Sequence, residues 1–403
     1  MFIRGGIIEG KFVLLRLLGC LLVKQSHDVI VVGAGPAGAT LAYELAKRGI
    51  GVLILEKEKL PRYKCCAGGV TSKAARLLDF DISEVAEDII YEVSFTFNLG
   101  SPYLGQHNQP LIYTVMRDVF DYFLVQRAQQ VGAALMDGQK VTQVQVSTDW
   151  VEISTINNTF RSRLVVGADG AYSVVAMELG MERRIEYVAG IESEVVVPEE
   201  ELAKWKSRVQ IELGYIPGGY AWVFPKRNHL SVGVGCLASK ARYLNHHNQK
   251  FLNSLSIGSY NITRSSSHLI PTYTKGRVVG QDKALLLGDA AGLADPLTGE
   301  GIYNAIQSAQ LATPVIENSL LRGKVELQDY QEAIDEKIMS ELRIARTLSK
   351  FFVRFPHLAF KMLNQSGGAW RTGCNLMLGE TNYAAVKERK GGFKDILNRL
   401  FRA

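Results

Sequence analysis

The chain has 403 residues, of which 47% are hydrophobic and 21% charged, with a net charge of +6. That length holds one large or two medium domains with a sizeable core, and the composition is that of a globular protein rather than a disordered or fibrous one. The mild positive charge by itself assigns neither nucleic acid nor membrane as a partner.

The five cysteines, Cys20, Cys65, Cys66, Cys236 and Cys374, are odd in number and form no paired CxxC. No metal site is expected from them, and a reducing, cytoplasmic compartment is the simplest reading. Residues 1–26 contain LLRLLGCLLV, which resembles a signal h-region and ends near a lipid-attachment-like LLGC. Arg16 interrupts the run, and it falls short of the roughly 20 residues that span a bilayer. A mis-assigned start or a surface helix is the expectation for this extension. No other stretch is a transmembrane candidate.

HDVIVVGAGPAGATLAYELAKRGIGVLILEKE, residues 27–58, reads as strand, glycine-rich turn, helix and strand. The β-branched run Val29–Val32 suits a strand buried on both faces. Gly33, Gly35 and Gly38 form GxGxxG. They permit the tight turn, the approach of backbone to a pyrophosphate and close helix–strand packing. The helix N-terminus then offers free N–H groups to phosphates. Leu41, Ala42, Leu45 and Ala46 form its apolar stripe, and Gly49 stops it. Glu56 ends the second strand, where a carboxylate accepts from both ribose hydroxyls of an adenosine. This order of strand, turn, helix and acid marks a dinucleotide site, without separating FAD from NAD.

MRDVFDYFLVQRAQQVGAAL, residues 116–135, is predicted to be one amphipathic helix with Phe120, Leu124 and Ala128 inward. The strand VTQVQV follows from Val141. LVVGADGAYS, residues 164–173, is a buried strand and a turn holding Asp169, Gly170 and Ser173. In GGYAWVFP, residues 218–225, Tyr220, Trp222 and Phe224 occupy alternate positions. A strand places them on one face. Plain core is the alternative use of such a wall. ALLLGDAAGLADPLTGEGIYNAIQSA, residues 284–309, reads as strand, GD turn, Pro-Gly loop and long helix. Asp289 closes the strand and can hold a ribityl hydroxyl. Pro296, Gly299 and Gly301 bring backbone close to a planar ring. The helix N-terminus near Gly301 suits the negative charge of a reduced flavin.

From about residue 310 the chain reads as helices. ARTLSKFFVRFPHLAFKML, residues 345–363, mixes Phe and Leu with Lys and Arg. The final FKDILNRLF places Phe393, Ile396, Leu397, Leu400 and Phe401 at helical spacing. Residues 386–403 carry six basic and two acidic residues. Such a helix lies on an anionic bilayer or packs on the body with a solvated basic face.

The set GxGxxG, Arg117, GADG and GDAAGLADPLTGEG resembles the flavoprotein superfamily of p-hydroxybenzoate hydroxylase. Within it, PRYKCCAGGV (residues 61–70) and YAWVFP resemble the geranylgeranyl reductase family, from residue 28 to about 370. The resemblance implies noncovalent FAD and hydrogenation of isoprenoid double bonds. It implies that Arg117 sits near the ribityl–phosphate region of FAD and that Asp289 contacts the same chain. Carried onto this sequence, the cofactor contacts are Gly33, Gly35, Ala37, Gly38, Glu56 and Lys57 in the first motif. Cys66, Ala67, Gly68, Arg117 and Val141 follow, then Asp169 and Gly170, and finally Asp289, Pro296, Gly299, Gly301 and Ile302. The catalytic set is Cys66 with Tyr220, Trp222 and Phe224, the aromatics lining the substrate cavity. A polyprenyl chain has no polar handle over most of its length, so apolar surface must hold it, at about 25 cal/mol per Å² buried. Aromatic rings also stabilise a transient carbocation-like centre.

PRYKCCAGGV departs from the family pattern. Proline commonly follows the lysine and glycine the cysteine, where this chain has Cys65 and Ala67. Cys66 matches the family's cysteine and is read as a proton source, a modulator of the site's redox state or a small buried filler. A thiol in an apolar site has a raised pKa and is a poor nucleophile. With no second GxGxxG, the reductant is transient NADPH or a small electron carrier such as ferredoxin.

The expected fold is α/β, α+β overall. A Rossmann-like FAD-binding domain (27–180 and 275–315) carries an antiparallel-sheet substrate domain (181–274) and a C-terminal helical region (316–403). The expected partner is a prenyl small molecule or lipid, with peripheral membrane contact and no nucleic acid. Two other readings use the same motifs: an FAD-dependent monooxygenase or halogenase, and a non-catalytic flavin- or lipid-binding protein.

Overall fold

The structure is a computed structural model that describes residues 26–182, 185–324, 326–365 and 367–388. The expectations for the first 25 residues and for the helix around Phe393 lie outside the described residues.

The first sheet is parallel through its centre, in the order Ala284–Leu286, Thr159–Gly167, Ser26–Val32, Val52–Glu56, Ala134–Asp137. Val29, Ile30 and Val31 are fully buried, as a β-branched run in the middle of a covered sheet requires. The helices Pro36–Ala46, Arg117–Gln130 and Ile302–Arg322 pack beside it. Parallel strands put all their C-terminal ends on one edge. Glu56, Gly167 and the turn after Leu286 therefore meet the N-termini of two helices there.

The helix expected over 116–135 is shorter. It runs Arg117–Gln130 and is capped by Val131. Gly132 then takes a left-handed φ of +110°, and Ala134–Asp137 pairs with the Glu56 strand instead. The helical periodicity of this stretch ends where edge pairing begins. Asp289 also differs from its expected place. The strand stops at Leu286, and Asp289 lies in a short 3-10 turn, Gly288–Ala291.

The second sheet has seven strands, ordered Asn261–Thr272, Glu186–Val196, Leu230–Leu237, Gly219–Pro225, Arg208–Leu213, Glu92–Phe97, Tyr103–Gln106. All pairs are antiparallel except Glu92–Phe97 with Arg208–Leu213. Its last two strands come from within the range 27–180 assigned by sequence to the FAD-binding domain. Residues 92–106 thus belong to the second sheet, because the parallel pairing with 208–213 satisfies their backbone.

Period two divides this sheet sharply. Ala221, Val223, Val232, Val234, Ala189 and Ile191 share one face and form a core with the helix Leu244–Ser254. The other face carries Tyr220, Trp222 and Phe224, and opposite them Gly235, Gly233 and Ser231. On the next strand Gly190, Glu192 and Glu194 continue the same rows. The C-terminal helices cover the apolar end of this face. Phe360 stacks on Phe97 at 5.8 Å and Trp370 meets Phe95 edge-on at 6.3 Å. A small third sheet, Gly69–Thr71, Ile112–Val115 and Ala86–Ile90, adds Ile112 and Ile90 to this apolar cluster.

Candidate functional site

The dinucleotide end is built as its sequence requires. Gly33 has φ +104°, and a Cβ there would stand 2.3 Å from the Ala168 carbonyl oxygen, so only glycine fits. Gly35 is the N-cap of the first helix, in extended conformation and without a side-chain cap. A Cβ on Gly35 would meet nothing closer than Arg62 at 3.9 Å. The space in front of this uncapped helix end is therefore open to a ligand. Glu56 accepts from the Ala34 N–H at 2.8 Å and the Glu58 N–H at 3.2 Å, which fixes its carboxylate at the strand's end. Ala37 and Val141 are buried in the surrounding core, whereas Lys57 is exposed.

The flavin end gathers residues from four segments. Arg117 pairs bidentately with Asp121 at 2.8 and 2.9 Å, and Arg62 takes the same carboxylate at 2.7 Å. Burial works against the Arg117 charge, but Asp121 and then the nearby Cys66 raise its pKa and keep it protonated. Burial raises the pKa of Asp289, with Lys64 and Arg117 pulling the other way. Gly301, the uncapped N-cap of Ile302–Arg322, lies beside it: a Cβ there would be 3.4 Å from Asp289 Oδ1. Asp169 accepts from Val174 and Val175 N–H at 2.7 and 3.2 Å, with Gly170 next to it at φ +81°. Cys66, Arg117, Asp169, Asp289 and Tyr220 are all half-buried despite their depth, as residues lining a cleft must be. Two open helix N-termini, a ribose-type carboxylate and a backbone-lined cleft fit FAD.

The loop carrying Pro296 and Gly299 is clamped. Asp295 accepts from Leu297 N–H at 2.7 Å and from the Tyr383 hydroxyl at 2.7 Å. The Tyr220 hydroxyl donates to the Thr298 carbonyl at 2.5 Å. Tyr220 thus ties the aromatic strand to the flavin loop, and burial pushes its hydroxyl pKa well up, so it stays protonated. Trp222 has 9% of its surface exposed. It lies flat over Gly233, Gly235 and Gly190, where Cβ atoms would stand 2.4, 3.2 and 3.7 Å from its ring. Phe224 turns toward Gly69 and joins the apolar cluster with Ile112, Val93 and Val209. The three aromatics share a face but not an environment.

The sequence reading missed a polar strip on the same face. The YKCCA loop is fixed to it residue by residue. Tyr63 donates to Glu194 at 3.2 Å, Lys64 Nζ meets His268 Nε2 at 2.5 Å and the Cys65 thiol donates to the Ser266 carbonyl at 3.3 Å. Lys226 donates to the carbonyls of Ala67 and Val115 at 2.7 and 2.8 Å. Burial, with Glu192 and Cys66 nearby, pushes the Cys65 thiol up to about 12. The two cysteines therefore differ: Cys65 is anchored to a strand, and Cys66 faces Arg117 across the cleft.

Behind the loop, Glu192 is 2% exposed and accepts from Ser231. Burial and then Glu194 raise its pKa, against the pull of Lys226 and the Trp222 indole. Glu194 is held by His229 at 2.8 Å. The E-x-E alternation at 192 and 194, read at period two, was the available signal for this strip. Lys226, two positions past Phe224 and on the same side, was another. Among the described residues no group of three His, Cys, Asp or Glu is arranged to hold a metal, and no helix is long and apolar enough to cross a membrane.

A family profile described as FAD binding domain matches residues 26–217. The digeranylgeranylglycerophospholipid reductase 1 of Methanococcoides burtonii is 30% identical over 331 residues, covering 77% of this chain and 80% of the relative. The chloroplastic geranylgeranyl diphosphate reductase of Nicotiana tabacum is 28% identical, covering 81% and 75%. Among solved structures, a geranylgeranyl bacteriochlorophyll reductase-like protein from Thermoplasma acidophilum superposes with a TM-score of 0.78 at 21% identity, covering 88% of this chain and 97% of that one. That last likeness is one of fold.

Two tests follow. Gly33→Ala should destabilise the apoprotein by at least about 2 kcal/mol through backbone strain and clash. Gly35→Ala should leave it within about 1 kcal/mol of wild type yet weaken FAD binding at least about tenfold, since its methyl fills the pyrophosphate approach. Denaturant midpoints of apoprotein and FAD titrations separate the two; equal FAD affinity in Gly35→Ala would refute the cradle. The second concerns Glu192. Its folded-state pKa is raised, so its stabilisation is complete below the ordinary carboxylate value of about 4.3 and is lost as pH rises through the folded value. Glu192→Gln should match wild type near that pH and become the more stable protein as pH rises. A constant difference in denaturant midpoint across the range would show that folding leaves the Glu192 pKa unshifted.

Proposed function

The chain belongs to the geranylgeranyl reductase family of FAD-dependent oxidoreductases, and on that premise we propose that it hydrogenates the double bonds of a geranylgeranyl-type chain. The acceptor is a prenyl diphosphate, a prenyl lipid, or the tail of a quinone or chlorophyll. The observation that carries this reading is the aromatic strand, tied by Tyr220 to the flavin loop and continued by an apolar face to Phe95 and Phe97.

Glu56, the Gly35 helix end, Arg117, Asp169 and Asp289 would hold FAD, which when reduced supplies a hydride. Each double bond also needs one proton. Cys66 is the assigned donor: it faces the cleft, and the nearby Arg117 guanidinium would stabilise the thiolate left behind. Trp222, lying flat on glycine backbone, offers its ring face to the chain and to positive charge developing on a tertiary carbon. Phe224 and the surrounding aliphatic residues exclude water that would compete for that carbon. Lys226 holds the Ala67 carbonyl, and so keeps Cys66 at its station. NADPH or a small carrier such as ferredoxin is the reductant. The protein works in the cytoplasm with peripheral membrane contact, where a lipid-borne chain enters from the side. In this assignment residues 27–180, apart from the strands in 92–106, and 275–315 bind FAD. Residues 181–274 bind substrate, and 316–403 form the helical cover.

The test is anaerobic. The yellow protein is reduced with dithionite, given geranylgeranyl diphosphate and a geranylgeranyl phospholipid in turn, and the products are weighed by mass spectrometry. Two hydrogens gained per double bond, with flavin reoxidation, are expected. Trp222→Ala should lower kcat/KM at least about tenfold, because a Trp buries roughly 150–250 Å², whereas Trp222→Phe should keep most of it. Unchanged substrates over flavin that stays reduced would reject both acceptors. Oxygenated products on admitting air would identify a monooxygenase instead.

A further inference from the structure

A separate cavity of about 310 Å³ opens where the chain leaving strand Asn261–Thr272 meets helix Ser340–Arg354. Tyr273, Lys275, Arg343, Arg346, Thr347 and Lys350 line it. Arg343, Arg346 and Lys350 recur at helical spacing, so three cations share one helix face. Lys275 adds a fourth from the far side. Tyr273, only 4% exposed, forms the floor, with its hydroxyl 3.4 Å from Arg343 Nε. Among the described residues the one carboxylate paired with these four cations is Glu186, on Arg346.

Four cations facing one carboxylate repel one another. They line one small cavity, and salt screens exposed charges only over a length of about 8 Å at physiological strength. Neighbouring like charges on a helix cost stability unless an anion is drawn between them. The helix is also fixed in place. Glu341 in its first turn accepts from the N–H groups of Tyr383 and Ala384 at 2.6 and 3.2 Å, so the cations sit on a rigid support. Two guanidinium forks, two ammonium groups and a phenol make a donor set matched to tetrahedral oxyanions.

We propose that this cavity binds a phosphate or diphosphate group, presented by a free phosphorylated molecule or by the headgroup of an anionic lipid. It is distinct from the pyrophosphate cradle at Gly35, and it does not depend on the reductase reading.

The test uses FAD-loaded protein, so that the Gly35 cradle is filled. Sodium pyrophosphate is titrated calorimetrically into wild type and into the double variant Arg343→Gln/Lys350→Gln. In parallel, both are floated with vesicles of phosphatidylcholine alone and of phosphatidylcholine mixed with phosphatidylglycerol. Pyrophosphate should bind wild type and be weakened at least about tenfold in the double variant, with flavin absorbance and melting temperature unchanged. Lys350→Arg should retain binding. Flotation with the anionic vesicles, lost in the variant and reversed by pyrophosphate, assigns the site to a lipid headgroup. Pyrophosphate binding without flotation assigns it to a free phosphate compound. If neither probe binds, or both bind wild type and double variant equally, the proposal is wrong.

Discussion

One buried ammonium joins the parts of this site. Lys226 is 3% exposed and gives hydrogen bonds to carbonyls on two different segments, Ala67 and Val115. It stands at the end of the aromatic strand, in the second sheet. Ala67 belongs to the cysteine loop, and Val115 ends a strand just before Arg117. A buried cation is costly unless its donors are satisfied and a counter-charge is near. Glu192 and Glu194, two strands away in the same sheet, lie near enough to hold its pKa up against burial, and Glu194 is the one whose own pKa is lowered. Burial lowers the Lys226 pKa and raises that of Glu192, so the pair is sensitive to anything that shifts the sheet against the loop. The position of Cys66 over the cleft, and that of Arg117 beside it, both inherit this constraint.

The inner face of the second sheet is divided by chemistry rather than by strand. Toward one edge it is polar: Glu194 and His268 hold Tyr63 and Lys64 of the YKCCA loop, with Glu192 and Ser231 paired beside them. Toward the other it is apolar, with Val209, Ile211, Val93 and Phe95 under the C-terminal helices. Trp222 sits on the border, its indole near Glu192 and its ring over bare glycine backbone. The border matters for the proposed reaction, which adds a proton and a hydride to a hydrocarbon. Proton supply needs polar groups, and the hydrocarbon needs their absence. The inner face of the sheet places both side by side.

The departure of PRYKCCAGGV from the family pattern also finds a physical place. Cys65 hydrogen-bonds a strand carbonyl and is pushed far toward the neutral thiol, so it anchors the loop where proline commonly stands. Gly68, with φ +68°, has Lys226 and the Val115 carbonyl against its α-carbon, which leaves no room for a side chain. The loop is thus rigid on its sheet side, and the open side belongs to Cys66.

Local patterns in the sequence determined much of this protein. GxGxxG with its strand, helix and Glu56 needed only neighbours in sequence, because turn, dipole and ribose carboxylate are local devices. The alternation of Tyr220, Trp222 and Phe224 and the Pro-Gly loop before Ile302 were legible for the same reason. Helix length over 116–135 was not, since the strand that replaces its end is stabilised by pairing with a distant partner. Nor was the membership of 92–106 in the second sheet, or the separate fates of the three aromatics. Tertiary structure alone decided that Lys226, Glu194, Ser266 and His268 would meet the cysteine loop. Those contacts join residues far apart in the chain, and buried charges find their partners only when strands from both sheets are already in register.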